Sequence, residues 1–399
     1  MPALLSCTSV AAVLSLVQVV APSPLQISAQ LPIIQAQAEK YDLEPSAEYP
    51  FSGITTFYHL GSAQCLTNQG KSDDILVVGL PFDTATSFRT GTRFGPNAIR
   101  QGSRAVSLTG DYNYHQALNP FTQGLSIVDC GDFPISPFDN GLAFAQMEEW
   151  YSRLLAKEVK NPHLGIASSK TGKAHPKIIA LGGDHSVSLP ILRALNKVYG
   201  PVSAIHIDAH IDTWNPKVFA RAKGAASEQA QFSDGTPYYW VGMEGLLINT
   251  CVYAGIRSSL DSAADLVTDA KSGFTIIPAW EMLKKDGVQG IINKIRSVVD
   301  FDKPVYISLD VDSLDPAFAP GTAGPSAGGW TPREVIEIVV GGLKGMNIVG
   351  VDIVEVLPGM DTAEITAIAA ADFAFELITT IVTGSLEASA IGKGMKVDM

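Results

Sequence analysis

Cysteine is scarce in this chain of 399 residues, and the four present form no CxxC pair of the kind that holds zinc. Cys7 falls in an amino-terminal apolar stretch, which leaves Cys65, Cys130 and Cys251, an odd set that makes no disulfide framework. Cys130 and Cys251 lie in strand-like segments and read as small core residues; a bridge from Cys65 to either has no support in the sequence. Basic residues are also in the minority. With 28 Lys and Arg against 40 Asp and Glu, the net charge is −12, which argues against nucleic acid or an anionic membrane as partner and suits a cationic substrate. The lysine and spacing of a P-loop are absent around Gly182-Gly183, and no internal repeat is evident.

Charge is missing altogether before Glu39. The apolar stretch Val10 to Ala21 is too short to span a membrane and resembles a signal-peptide core, although no Lys or Arg precedes it. Residues 1–29 are therefore expected to be a signal peptide, with secretion as the expected destination and the cytoplasm as the alternative. Residues 30–50, containing Pro and Gln and little periodicity, read as an irregular arm before a main domain at 51–399.

What is plentiful is apolar sequence, 46% of the chain, arranged in short runs. Strand-like runs occur at Ile75–Gly79, Leu125–Val128, Ile178–Leu181, Ala204–Ile207, Cys251–Ala254, Phe274–Ile277, Val305–Ser308 and Ile348–Val351. Between many of them lie helix-like segments: Gly141–Lys157, Leu189–Val198, Trp280–Val299, Pro332–Leu343 and Ala363–Thr383. Continuous rather than alternating apolar strands indicate a sheet covered on both faces. Strands alternating with helices imply right-handed crossovers and a largely parallel α/β sheet, whose ligands bind beyond the carboxyl ends of the strands.

Acidic and imidazole side chains gather at those ends. Asp208-Ala209-His210-Ile211-Asp212 follows one apolar run, Asp310-Val311-Asp312 follows another, and His185 in Gly182-Gly183-Asp184-His185-Ser186 follows a third. Residues i and i+2 of a strand point to one side, so extended geometry would aim Asp208, His210 and Asp212 together, and likewise Asp310 and Asp312. Grouped carboxylates repel and lose hydration unless cations pair with them. Four aspartates match two divalent ions, and a mixed imidazole and carboxylate set suits Mn, Fe, Co, Ni or Zn, leaning towards Mn. Two adjacent metals can share a water and lower its pKa, which points to metal-assisted hydrolysis. His206, at i−4 from His210, reads as a hydrogen-bonded core histidine well below that centre. His59, His163 and His175 read as surface or loop residues, and Trp214 as either a pocket wall or a packing residue beneath it. Asp184 has two readings, orienting a ligand or capping the helix that follows.

These motifs, with Ser308-Leu309-Asp310-Val311-Asp312-Ser313-Leu314-Asp315-Pro316, resemble the three signatures of the ureohydrolases, the arginase and agmatinase family. Further matches run through Pro81-Phe82-Asp83-Thr84, Arg93-Phe94-Gly95-Pro96 and Val351-Asp352-Ile353-Val354-Glu355, so the resemblance covers roughly Phe51 to Gly384. Phe51-Ser52-Gly53-Ile54 and the stretch Asp208 to Pro216 fit the agmatinase-like branch better than arginase itself. The resemblance implies a three-layer αβα arginase-like fold with a mostly parallel eight-stranded sheet. It also implies two Mn2+ ions, with Ni, Co or Zn as alternatives. His185, Asp208, Asp212 and Asp310 would hold one ion, and Asp208, His210, Asp310 and Asp312 the other. Glu355 would receive a substrate guanidinium, which a carboxylate matches well. Asp312 or a neighbouring carboxylate would orient the attacking water. The implied reaction is hydrolysis of a small cationic guanidino compound, agmatine or a relative, to urea and an amine, in a trimer or hexamer. Related amidine or amide hydrolysis is the alternative, the two differing in the loops at Lys217–Tyr239; a catalytically weak metal-binding homologue is the other.

One departure concerns Asp234, in Phe232-Ser233-Asp234-Gly235-Thr236, where the family usually has histidine. An ordinary carboxylate is a poor proton donor to a leaving amine near neutrality. Burial could raise its pKa, water or His115 could take over, or Asp234 could contact a second cationic group of a changed substrate. Slowed or redirected chemistry is the expectation, with Asp234→His raising turnover. Ser227, Glu228 and Gln231 are candidates for the cavity entrance.

Overall fold

Isoleucine and valine in consecutive positions leave no strand face that water could cover, and the chain answers by burying both faces. In a computed structural model, which describes residues 50–68, 70–106, 111–162, 169–219, 227, 231–260 and 262–392, these runs form eight strands. They are β1 Ile75–Gly79, β2 Ile127–Asp132, β3 Lys177–Leu181, β4 Ser203–Ile207, β5 Cys251–Ile256, β6 Phe274–Pro278, β7 Pro304–Asp310 and β8 Asn347–Val354. They pair in the order β2-β1-β3-β8-β7-β4-β5-β6, and every pairing is parallel. Because β7 and β8 enter last, between β3 and β4, the four strands carrying the sequence motifs lie side by side at the sheet's centre.

Alternate residues of each strand feed two separate cores. Ile75 and Val77 of β1 pack with helices α1 (Gly95–Gly102), α7 (Gly287–Val298), α8 (Pro332–Leu343) and α9 (Ile365–Gly392). Leu76 and Val78 face the other way, towards α2 (Asn140–Leu155), α3 (Ser188–Tyr199) and α5 (Pro237–Met243). The shorter helices α4 (Pro216–Phe219) and α6 (Ala263–Asp269) complete the chain order. The result is the expected three-layer αβα architecture. Local signals set several helix starts: Thr331 and Glu334 form a reciprocal capping box with Pro332 between them, and Asp139 caps α2 through Leu142 N. Helix α9 is long and apolar enough to cross a membrane, but 78% of its apolar window is buried against the sheet and its neighbours.

Several expectations are corrected. The segment Trp280–Val299 is not one helix: a 3₁₀ turn, Ala279–Leu283, precedes α7, whose first residue, Gly287, has φ +47°. Helix α9 begins two residues after Ala363, because Ala363 and Glu364 have φ +51° and +60°, outside the right-handed helical region. Cys130 is not a simple core residue; it forms a disulfide with Cys65, a pairing that a sequence separation of 65 hides from the sequence. Cys251 is buried and free, as expected. His175 is buried, its Nδ1 lying 2.6 Å from Leu155 O, whereas His59 is half-buried. The signal-like segment, the arm up to residue 49, Glu228 and His163 lie outside the described residues.

Candidate metal centre

Four adjacent strand ends deliver the expected side chains to one place. Beyond β3, Asp184 turns the chain by accepting from Ser186 N at 3.1 Å, and its hydroxyl neighbour Ser186 adds a second bond. Its other oxygen takes Ala85 N at 3.0 Å, so Asp184 is a cap and a loop tie rather than a ligand orienter. Gly183 is required there because a Cβ would stand 1.8 Å from Phe82 O; close packing, not phosphate binding, explains the glycine pair. The turn presents His185, buried, with Nε2 2.7 Å from Ser308 Oγ on β7.

Extended geometry does not persist through the two acidic motifs. β4 ends at Ile207 and Asp212 has φ +49°, while Asp310 closes β7 and Val311–Ser313 form a 3₁₀ turn. The side chains nevertheless converge, because backbone N–H groups hold one oxygen each of Asp310 and Asp312. Asp310 Oδ1 accepts Asp312 N at 2.7 Å, and Asp312 Oδ1 accepts Ala209 N at 3.0 Å. The free oxygens then turn towards the histidines. His185 Nδ1 lies 3.0 Å from Asp208 Oδ2, 3.0 Å from Asp212 Oδ2 and 3.2 Å from Asp310 Oδ2. His210 Nδ1 lies 2.8 Å from Asp312 Oδ2 and 3.3 Å from Asp208 Oδ1. Asp208 thus offers one oxygen to each group.

Three carboxylates surround His185 Nδ1, yet none makes a hydrogen bond to it in acceptable geometry, so the donor atoms sit around a point rather than in line with an N–H. Among the described residues no Lys or Arg lines the cavity above them. Burial, reinforced by Asp312 and Asp208, pushes Asp310 well above the usual carboxylate range. Asp312 moves the same way through burial and Asp208, and Asp212 rises to about 7 for the same two reasons. Glu355 is raised well above its ordinary value by burial, then by Asp310 and Asp234. This anionic excess, with an imidazole nitrogen lacking a partner among them, fits a pair of divalent cations.

Glu355 follows β8 with φ +67°, a conformation that costs a non-glycine residue energy and that accompanies functional positions. Its Oε1 accepts His185 N at 2.6 Å, while Oε2 is buried with no hydrogen-bond partner among the described residues. Asp234 lines the same cavity, of about 400 Å³. Ser87 N and Oγ donate to its Oδ2 at 2.7 and 3.0 Å, and Gly235 N to its Oδ1 at 2.9 Å. Burial raises its pKa, as one of the expectations required. Trp214 does both things considered for it: it lines the cavity and packs with Ile211, Tyr253 and Ile256. His115 instead lies 3.3 Å from Glu337 and 3.9 Å from Glu376 and is not among the cavity residues.

His206 is placed differently from the expectation. It is a buried, hydrogen-bonded histidine, but its Nε2 lies 2.7 Å from Asp208 Oδ2 and so it borders the centre. The relevant spacing is i, i+2 to Asp208, not i, i+4 to His210. The same spacing relates Ser308 to Asp310, and His206 and Ser308 are register partners across β4 and β7. Asp352 on β8 is the register partner of Ser308 on its other side, so a polar layer runs beneath the ligands. Asp352 is in turn held by Ser188 Oγ at 2.6 Å and by Tyr306 OH.

The chain is similar to known proteins over most of its length. The arginase family model matches residues 73–379. A Schizosaccharomyces pombe protein named "Putative agmatinase 1" is 44% identical over 342 residues, covering 86% of this chain and 85% of that protein. The agmatinase of Enterobacter sp. (strain 638) is 39% identical over 306 residues, covering 76% of this chain and 86% of its own length. Among solved structures, proclavaminate amidino hydrolase from Streptomyces clavuligerus superposes with a TM-score of 0.70 at 31% identity, covering 84% of this chain and 100% of that one.

Proposed function

The chain belongs to the arginase family, and we propose that it hydrolyses a guanidino compound, agmatine or a close relative, to urea and an amine. Membership makes it a hydrolase acting on carbon–nitrogen bonds in amidines. The observation that carries the finer reading is Glu355 Oε2, a buried and unpartnered carboxylate oxygen in a protein whose neighbouring strand ends converge on a metal-type donor set.

In this reading His185, Asp208, Asp212 and Asp310 would hold one cation, and Asp208, His210, Asp310 and Asp312 would hold the other. The two oxygens of Asp208, each beside a different histidine, support its bridging place. Manganese is the ion we assign, from the oxygen-rich donor set. Bound there, two divalent cations would supply Lewis-acid chemistry, bringing the pKa of a water towards neutrality and stabilising negative charge as it develops. Glu355 would receive the planar guanidinium through its free oxygen. Asp312, whose other oxygen is tied to Ala209 N, orients the attacking water. Ser308, donating to or accepting from His185 Nε2, fixes the ring's tautomer and orientation. The amine departs with a proton from cavity water.

Two broader parts of the reading concern the whole protein. The Cys65–Cys130 disulfide supports an oxidising, secretory destination. A trimer or hexamer is the assembly we assign, to be checked by light scattering of the purified protein.

The test is urea release by manganese-reconstituted protein across agmatine, arginine and 4-guanidinobutyrate. Urea from agmatine, lost on chelation and regained with manganese, is the expected result. No urea from any guanidine contradicts the reading, and formamide or ammonia from another amidine would replace it with the related hydrolase.

A further inference from the structure

Among the described residues five carboxylates line the cavity, Asp212, Asp234, Asp310, Asp312 and Glu355, and no Lys or Arg does. Two divalent cations offset four aspartates, Asp208 included, and leave Glu355 and Asp234 as the two uncompensated anions. Asp234 has no part in either ligand group. It is nonetheless built in place: its three hydrogen-bond donors come from Ser87 and Gly235, and two of them are backbone N–H groups that can never accept a proton. Such donors favour the ionised carboxylate, whereas burial opposes it, so the group gains most from a cation brought into the cavity. Phe88, Trp214 and Pro325 supply apolar wall to the same space, suitable for a methylene chain.

We infer that Asp234 receives a second cationic group of the substrate, so that the enzyme selects dicationic guanidines over those with a neutral or anionic tail. This rests on the proposed hydrolysis of a guanidino compound and adds how the far end of the substrate is recognised. A single guanidinium would neutralise Glu355 and leave the half-buried Asp234 without a cation. A guanidine ending in a carboxylate would place like charges together in a site where the described residues supply no Lys or Arg to separate them.

Two measurements test it together. Calorimetric titration of manganese-loaded protein with cadaverine and with pentylamine, neither of which can be hydrolysed, should show the diamine binding tighter by about tenfold or more, the scale of a desolvated charge pair. Asp234→Asn and Asp234→His should each remove that preference, with thermal unfolding confirming that both variants are folded. In steady-state assays the substitution should weaken kcat/KM for agmatine at least about tenfold more than for butylguanidine, through KM. A diamine preference that survives both substitutions overturns the inference. Equal loss of kcat on agmatine and butylguanidine also overturns it, assigning Asp234 to proton transfer. Wild-type protein that releases no urea from any guanidine contradicts the hydrolase reading instead, while the amine titration still decides Asp234.

Discussion

The two ends of the central strands bury charge in opposite ways. At the amino end, Lys177 opens β3, buried, with Nζ 3.4 Å from Asn347 Oδ1 and 5.8 Å from the Tyr199 ring. Burial alone brings its pKa down to about 8. At the carboxyl end of the same strands, buried carboxylates crowd together and mostly shift upwards. A solitary amine can relieve its burial by releasing a proton. Neighbouring aspartates relieve theirs only by taking up protons on the oxygens turned towards His185 and His210, the same oxygens that cations would hold. Buried charge at the amino end is thus a cost the fold tolerates, while at the carboxyl end it is a demand for cations.

The largest effect should come from removing the residue that joins the two donor groups. Asp208→Ala is expected to lower urea release by at least about 10³-fold, since several kcal/mol of metal-derived stabilisation would be lost. A variant retaining more than a tenth of wild-type rate in a coupled urea assay would break the comparison. Glu355→Gln keeps the shape and removes the charge, and kcat/KM should fall about 10²-fold, as for a buried charge pair losing one partner. Metal content, measured in parallel, should hardly change.

At the opposite end, Lys177→Met should stabilise the fold by about 2 kcal/mol at pH 7, given that each unit of pKa shift corresponds to roughly 1.4 kcal/mol. The sign follows from linkage: the folded pKa lies below the unfolded value, so the penalty is complete below about pH 8 and fades as pH rises towards the unfolded pKa. Denaturant titrations at pH 7 and pH 10 should therefore show the gain shrinking. A gain that grows with pH would contradict the assignment. The smallest expected effect is Ser308→Ala, which frees the His185 ring and should weaken metal binding about tenfold with the fold intact.

Much of this architecture was legible because it depends on local pattern. Runs such as Ile75–Gly79 and Val305–Ser308 read as strands from continuous apolar sequence, and the positions of His185, Asp208, His210, Asp212, Asp310 and Asp312 beyond strand ends place them together. Other features depend on tertiary contacts that no local pattern encodes. The left-handed Asp212 and the 3₁₀ turn after Asp310 are fixed by loop packing, so these side chains come together through a local geometry other than the expected strand-like alternation. The Cys65–Cys130 bridge joins an early loop to edge strand β2 across 65 residues. His206 was recoverable, since it shares a strand face with Asp208 at i, i+2; measuring its distance from His210 hid that relation. The donor Ser87 to Asp234 comes from a separate loop and carried no signal in the sequence.

Metal stoichiometry tests the central claim most directly. Protein stripped by a chelator, resupplied with excess manganese and freed of unbound ion should contain two manganese ions per chain, and Asp208→Ala clearly fewer. Wild-type protein that holds one ion or none under the same saturating supply would contradict the account.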